Sequence, residues 1–433
     1  MRQALARGIP IISAETAAVF RILFMTLVLL YLRQLPTRFP DQLPTDPTYA
    51  AGVVRWLMST PAVAQRLDAI LTVSAVAVIV GVAARPAFVV FVAAFLGWGC
   101  ISTLNSSHHP ISALSVTLLG LVPARWSDAW SADAWIRRRM GRAAASPSLG
   151  YGYAVWLPGF VMGVAFAAAA WSKLANGAEW IVNGTIRYHF VTDLRDAFVT
   201  WGPRLTSIPG VAVAGSFAAV AIEATVVGAA FLKGWRVRAA LGTAALGLLI
   251  GFALFQGVVW LGWWILLLGF LPWSLRKTNA HPPATDPGIG IVQALAILLI
   301  VAQQIVTTVR HVEIRPLFST YDMYSTTYAS AAEYEAKSNM VYRAVGITAA
   351  GEHVPLEDCG MSDNEAVVLV EAWRQTPRDP SRIAALTSCT ADAPDVVKVL
   401  LEGDKRIFDW ERGEFYWKRK LSTLGPLEIT PAE

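Results

Sequence analysis

Long apolar runs follow one another through the first 310 residues of this chain, joined by connections that carry arginine. About nine such runs occur: Ala17–Leu32, Ala69–Ala83, Ala87–Ile101, Ile111–Val122, Val155–Ser172, Val211–Leu232, Ala239–Val259, Leu261–Leu271 and Ile289–Val309. A helix needs roughly 20 residues to cross the hydrocarbon core. In lipid every backbone polar group must be satisfied within the segment, so runs of this kind fold as helices. The fourth and eighth are short, so they are tilted, extend into flanking sequence or are re-entrant. Composition agrees: 55% of the residues are hydrophobic and only 15% charged, against about 25% charged in an ordinary soluble domain. The 17 Trp suit the two membrane interfaces. The net charge of +5 comes from arginines lying between apolar runs, which is not a nucleic-acid surface. The first run lacks a small-residue cleavage site and reads as a span rather than a signal peptide.

Arginine placement predicts the orientation, because cytoplasmic connections are enriched in Lys and Arg. With the N-terminus cytoplasmic, that side holds Arg85, then Arg125, Arg137, Arg138, Arg139 and Arg142, then Lys233, Arg236 and Arg238, then Arg276 and Lys277. An odd number of spans sends everything after Arg310 outside. The expected fold is an all-α polytopic membrane domain over 1–310, with about 8–9 transmembrane helices, followed by an extracytoplasmic α+β domain over 311–433. Within that tail Ser362–Gln375 reads as a helix with a Ser362/Glu365 capping box. Val396–Leu401 and Arg406–Leu421 read as strands, with Glu402-Gly403-Asp404 and Glu411–Glu414 as turns. Outside the cytoplasm Cys359 and Cys389 can form a disulfide; otherwise they are two buried thiols.

Ionisable groups inside spans are costly and are functional candidates. Glu223, in A-I-E-A-T-V-V, is the clearest; its plainer reading is a structural carboxyl between helices. Arg21 reads as an interfacial anchor, and Gln256, Gln293, Gln303 and Gln304 as interhelical hydrogen bonders. His108 and His109, in N-S-S-H-H-P, suit proton handling or a solvated loop, and no carboxylate or cysteine stands near at metal-ligand spacing. Lys173 ends the fifth run and is followed by Trp180, Arg187 and His189. Its amine either snorkels to the interface or, partly desolvated, acts as a base toward a lipid-soluble acid such as a hydroquinone.

The segment K-L-A-N-G-A-E-W-I-V-N-G-T-I-R-Y, with the upstream N-S-S-H-H-P-I-S-A-L and S-D-A-W-S-A-D-A-W, resembles the bacterial HTTM (horizontally transferred transmembrane) family. These proteins are relatives of vitamin K-dependent gamma-glutamyl carboxylase. Lys173, Leu174, Trp180, Gly184 and Thr185 match the pattern, with the Trp-to-Gly spacing one residue longer, and Arg21 also fits. The resemblance implies that Lys173 is the base that deprotonates a reduced quinone, vitamin K or menaquinol. It also implies that His108 or His109 supports the chemistry, and that a glutamate of a secreted peptide or protein gains CO2. Trp180, Arg187, His189 and Glu223 are then the candidates for the substrate or quinol site. Two departures count against transferring full gamma-carboxylation. The seventh run offers Phe252 and Gln256 where a histidine is expected, and the tail is short for peptide docking. The alternative is a non-catalytic membrane factor for maturation or export of a secreted peptide or partner protein. A transporter is weaker still, since no repeated halves are visible. No metal is expected, and the expected location is the plasma (inner) membrane.

Overall fold

A computed structural model of the chain describes residues 8–34, 61–102, 109–141, 146–175, 177–194, 196–232, 234–275, 289–322, 324–337, 340–356 and 395–428. His108, Cys359, Cys389 and the 362–375 segment lie outside the described residues. Contacts divide the chain into a helical unit, Met1–Gly202 with Ile208–Thr327, and a second unit, Pro203–Ser207 with Tyr328–Glu433.

The helical unit contains α1 (Ala14–Gln34), α2 (Pro61–Val80), α3 (Ala84–Ser102), α4 (His109–Gly120), α5 (Ala132–Arg139), α6 (Leu149–Leu174), α7 (Glu179–Val182), α8 (Ile186–Thr192), α9 (Pro209–Val226), α10 (Trp235–Gln256), α11 (Leu261–Leu266) and α12 (Ile291–Arg310). Among the described residues six helices are long and apolar enough to cross a membrane: Ala14–Gln34, Ala84–Ile101, Leu149–Leu174, Gly210–Ala230, Trp235–Gln256 and Ile291–Arg310. His109–Gly120 and Leu261–Phe270 are shorter apolar helices. This is a polytopic helical membrane architecture, and its apolar outer faces are what a bilayer covers.

The bundle is built around α6, of which 83% is buried, against 22% for α10. Small residues let its neighbours approach closely. A Cβ on Gly269 would lie 2.2 Å from the Gly159 nitrogen, so backbone meets backbone at that crossing. Side-chain-to-carbonyl bonds then gather the connections into two ends. At one end Trp156 donates to Ala230 at 3.0 Å, Gln293 to Pro123 and Gly150 at 3.4 Å each, and Arg238 to Gly8. At the other Trp263 donates to the His109 carbonyl at 3.0 Å and Gln304 to Ser319 at 2.8 Å.

Arg21 is not an interfacial anchor. It is completely buried, and its guanidinium donates to the carbonyls of Trp126 (3.0 Å) and Trp130 (2.6 Å), with Ala129 and Ile79 at 3.5 Å. A rigid five-donor fork suits converging carbonyls better than open water does.

The chain does not leave the helical unit at Arg310. His311 takes a left-handed conformation (φ 51°) and ends α12, an Ile314–Phe318 bridge turns the chain, and residues up to Thr327 run back against the bundle. The unit boundary therefore falls after Thr327.

The second unit is an antiparallel four-stranded sheet, order β2-β1-β3-β4, with β1 Met340–Thr348, β2 His353–Pro355, β3 Val396–Asp409 and β4 Glu414–Glu428. Its small helix Ala331–Lys337 is tied to β3 by Lys405, which donates to the Ala336 carbonyl at 3.1 Å. The Asp409–Glu414 connection is a turn as expected, with Gly413 at φ 72° donating to Asp409 at 2.8 Å. Glu402-Gly403-Asp404 is not a turn. It runs through the middle of β3, paired to β1 on one side and β4 on the other, with an irregularity at Gly403/Lys405. Two-sided pairing overrides turn propensity, and Glu402 and Asp404 are buried there.

Candidate functional site

Lys173 occupies the last turn of α6, and Glu223 lies on α9, which packs along it. The Lys173 ammonium is 2.9 Å from both carboxylate oxygens of Glu223, and the two side chains are 4% and 2% exposed. Lys173 therefore does not snorkel. A buried ion pair survives where geometry is good and both partners are present. One proton moved across either short contact turns the ion pair into a neutral amine beside a carboxylic acid, so this is a place where a proton can be held or exchanged.

The segment after α6 folds over the pair. The Trp180 ring centroid lies 5.5 Å from Lys173 Nζ, a cation–π distance, and the indole N–H donates to the Tyr324 carbonyl at 2.7 Å. Gly184 makes the reversal between α7 and α8. Its φ is +60°, and a Cβ there would stand 2.7 Å from the Ala212 methyl on α9, so only glycine fits. The Ile186 N–H then donates to Ser216 on α9 at 3.2 Å, which fixes α8 against the same helix that carries Glu223.

α8 presents His189 inward. Its ring stacks on Trp180 (6.1 Å, 19°) and meets Tyr324 edge-on (5.1 Å), and Nε2 lies 3.2 Å from the Thr326 carbonyl, which makes Nε2 the protonated nitrogen. Burial, then the nearby positive charge of Lys173, push its pKa down to about 3 against the pull of the Thr326 and Tyr324 carbonyls, so the imidazole is neutral. Asp193 moves the other way. Burial and the charge of Asp196 raise it to about 6, opposed by a hydrogen bond with the Tyr324 phenol. Burial and Asp193 together raise the Tyr324 hydroxyl. Arg187, half-buried, lies 5.2 Å from the Tyr188 ring and is not brought onto Lys173.

His109 belongs to a neighbouring cluster at the start of α4. Its Nδ1 is hydrogen-bonded to Ser319 Oγ, Ser112 Oγ is 2.9 Å from the Tyr321 hydroxyl, and Trp263 meets Tyr321 edge-on at 5.5 Å. Aromatic rings join the two histidines: Tyr324, Phe252, Trp260, Trp263 and Tyr321 follow one another at 5.5–6.1 Å. Phe252, standing where the resemblance expects a histidine, is a member of that wall. No group of three or more His, Cys, Asp or Glu that could hold a metal occurs among the described residues.

Sequence reasoning found Lys173, Trp180 and His189 in one stretch and Glu223 apart from them; the fold brings the four together. It missed Asp193 and the 319–326 strap, S-T-Y-D-M-Y-S-T, whose carbonyls and tyrosines close both clusters. Its hydroxyl-rich composition directly after a span was the available signal. Both Tyr321 and Tyr324 hold positive φ (50° and 58°), a conformation non-glycine residues keep only where their surroundings enforce it.

Comparison with known protein families, with curated proteins and with solved structures finds no match to this chain.

Proposed function

We propose that this chain is a multi-pass plasma-membrane enzyme in which the Lys173–Glu223 pair takes a proton from a weakly acidic, lipid-soluble ring, as in quinol-dependent carboxylases. The observation that carries the reading is the buried, bidentate Lys173–Glu223 pair set beneath Trp180, His189 and Tyr324. Six membrane-length apolar helices with two shorter ones are compatible with about eight or nine crossings. Arg85, Arg125, Arg137, Arg138, Arg139, Arg236 and Arg238 belong to the end away from Lys173, which supports a cytoplasmic position for that end and for the N-terminus. The Lys173 end, and the chain after Thr327, are then outside the cytoplasm.

The residues around the pair suit a reduced quinone in kind: aromatic faces for a flat apolar ring and a buried acid–base pair for its hydroxyl. When bound, such a quinol would supply the acidic O–H and, with dioxygen accepting its electrons, the strong base that takes a proton from a peptide or protein glutamate before CO2 adds. The chain's own part is proton handling. Accepting one proton takes the Lys173–Glu223 pair from net neutral to net +1, and the Trp180 face stabilises the added charge. His189, neutral with Nε2–H on Thr326, holds the strap closed without adding a second cation. His109 and the Tyr321 cluster mark the far edge of the aromatic wall, and His109 is one of the two histidines, with His108, that the resemblance implies.

The test is incorporation of labelled bicarbonate by purified protein with reduced menaquinone or vitamin K, in the presence of co-expressed neighbouring gene products. Incorporation above background, lost in Lys173→Ala at unchanged protein yield, is the expected result. No incorporation with any partner, together with full biological function of Lys173→Ala, would overturn it. One observation favours a second reading, a non-catalytic maturation or export factor. Glu223 occupies Lys173 from both oxygens, as a purely structural pair would. That reading expects a variant with both charges removed to keep its function.

A further inference from the structure

The end of the helical unit away from Lys173 carries a surface that the proton-handling reading does not use. Helix α5 lies in the connection between α4 and α6. Trp130, Trp135, Ile136 and Met140 there are 53%, 57%, 45% and 69% exposed. Arg138 and Arg139 are exposed with them, and the Arg139 guanidinium lies 4.0 Å over the Trp135 ring. Neither arginine is paired with a carboxylate among the described residues. The local acids are committed elsewhere. Asp128 takes Arg137 (3.0 Å), Arg125 (3.4 Å) and the Tyr151 hydroxyl (2.7 Å), and Asp133 accepts from the backbone of Ala83 and Ala84 at 2.9 Å each.

This face is held rigidly. Ser131 caps α5 by accepting from the Ala134 N–H at 2.9 Å, and the Asp133 N–H donates to the Gly81 carbonyl at 3.0 Å. Those bonds fasten α5 to the turn between α2 and α3, the level at which two apolar helices end. Exposed tryptophan and arginine at that level sit at headgroup depth, where amphipathic rings and basic side chains are favoured.

We propose that α5 and the adjoining Trp130 form a binding surface for anionic phospholipid headgroups, with Arg138 and Arg139 taking the phosphate and Trp135, Ile136 and Met140 entering the acyl boundary. Charge selects the lipid class: two unpaired guanidiniums with no free carboxylate beside them favour an anionic over a zwitterionic headgroup. A guanidinium stacked on an indole is pre-oriented and presents its N–H edge outward.

Native mass spectrometry of the delipidated full chain, titrated with phosphatidylglycerol or phosphatidylcholine, tests this. The intact protein is expected to bind phosphatidylglycerol more tightly. Arg138→Gln with Arg139→Gln weakens phosphatidylglycerol roughly thirtyfold and phosphatidylcholine much less, because each basic residue contributes about 1 kcal/mol at an anionic headgroup and every 1.4 kcal/mol is tenfold. Trp135→Ser with Met140→Ser weakens both lipids, because it removes the apolar half. Equal affinity for the two lipids, an undiminished preference in the double arginine variant, or full displacement by millimolar inorganic phosphate would each overturn the proposal. The last would mean a simple anion site, and the first a face made for a protein partner.

Discussion

Arg21 and Lys173 are the most deeply buried cations among the described residues, and they are held in opposite ways. Arg21 donates its hydrogen bonds to backbone carbonyls, of Trp126, Trp130, Ala129 and Ile79, with the Asp133 carboxylate acting on it electrostatically. Its hydrogen-bond partners are neutral dipoles that cannot take a proton, and a guanidinium does not give one up. Lys173 meets a carboxylate, which can. The same cost of burying a charge is met at one end of the bundle by a fixed clamp and at the other by a pair with two protonation states. A buried cation signals chemistry only when its partner can change charge.

The largest expected effect is at the clamp. Arg21→Met leaves four carbonyls without their donor, and the two buried ones, of Trp126 and Ala129, cost about 1–3 kcal/mol each, a large share of a protein's net stability. Arg21→Lys restores only part, because one ammonium cannot span the fork. Thermal unfolding in detergent reads both. Near-normal melting of Arg21→Met would remove the clamp from the comparison.

Next comes the pair. Glu223→Gln or Lys173→Met alone should destabilise by about 3–5 kcal/mol, since each leaves an uncompensated polar or charged partner buried. Lys173→Met with Glu223→Met should recover most of that stability. If the double variant is stable and still functional, the pair is structural like Arg21. If it is stable and inactive, the two cations differ as argued.

Much of this contrast was legible in the sequence, and its decisive part was not. Apolar runs show in composition, so the helical membrane architecture was readable, as was the oddity of Glu223 among alanines and valines. Lys173 stood out because it ends a run. Its pairing with Glu223, fifty residues away, depends on how α6 and α9 pack, which no local pattern encodes. Arg21 looked like an anchor for the same reason: its carbonyl partners come from the loop at 126–130 and from Ile79, supplied by tertiary folding alone. The 319–326 strap was hidden by polarity, reading as tail although it closes the site.

The pH dependence of stability sharpens the Lys173 end further. His189, with its pKa lowered to about 3 from 6.5, contributes stability that is present above pH 6.5 and lost as pH falls toward 3. Asp193, raised to about 6 from 3.8, contributes stability present below pH 3.8 and lost as pH rises through 6. Between about pH 4 and 6 the two slopes oppose, each at most about 1.4 kcal/mol per pH unit. Asp193→Asn should expose the histidine slope, so that the melting temperature drops on acidification from pH 6 to 4. His189→Gln should expose the reverse. Parallel profiles for both variants and the parent protein would sink the assignment.

The smallest effect expected is at Trp180→Phe. The ring and its cation–π contact with Lys173 are largely kept, while the indole N–H to Tyr324 is lost, a cost of about 1 kcal/mol. Because that bond ties α7 to the strap, the loss should loosen the strap more than the pair. Hydrogen exchange at 319–326 should accelerate while the amides of α6 around Lys173 stay protected. Acceleration at both would mean that strap and pair open as one unit, and that the proton-exchanging cation is less firmly held than the clamped one.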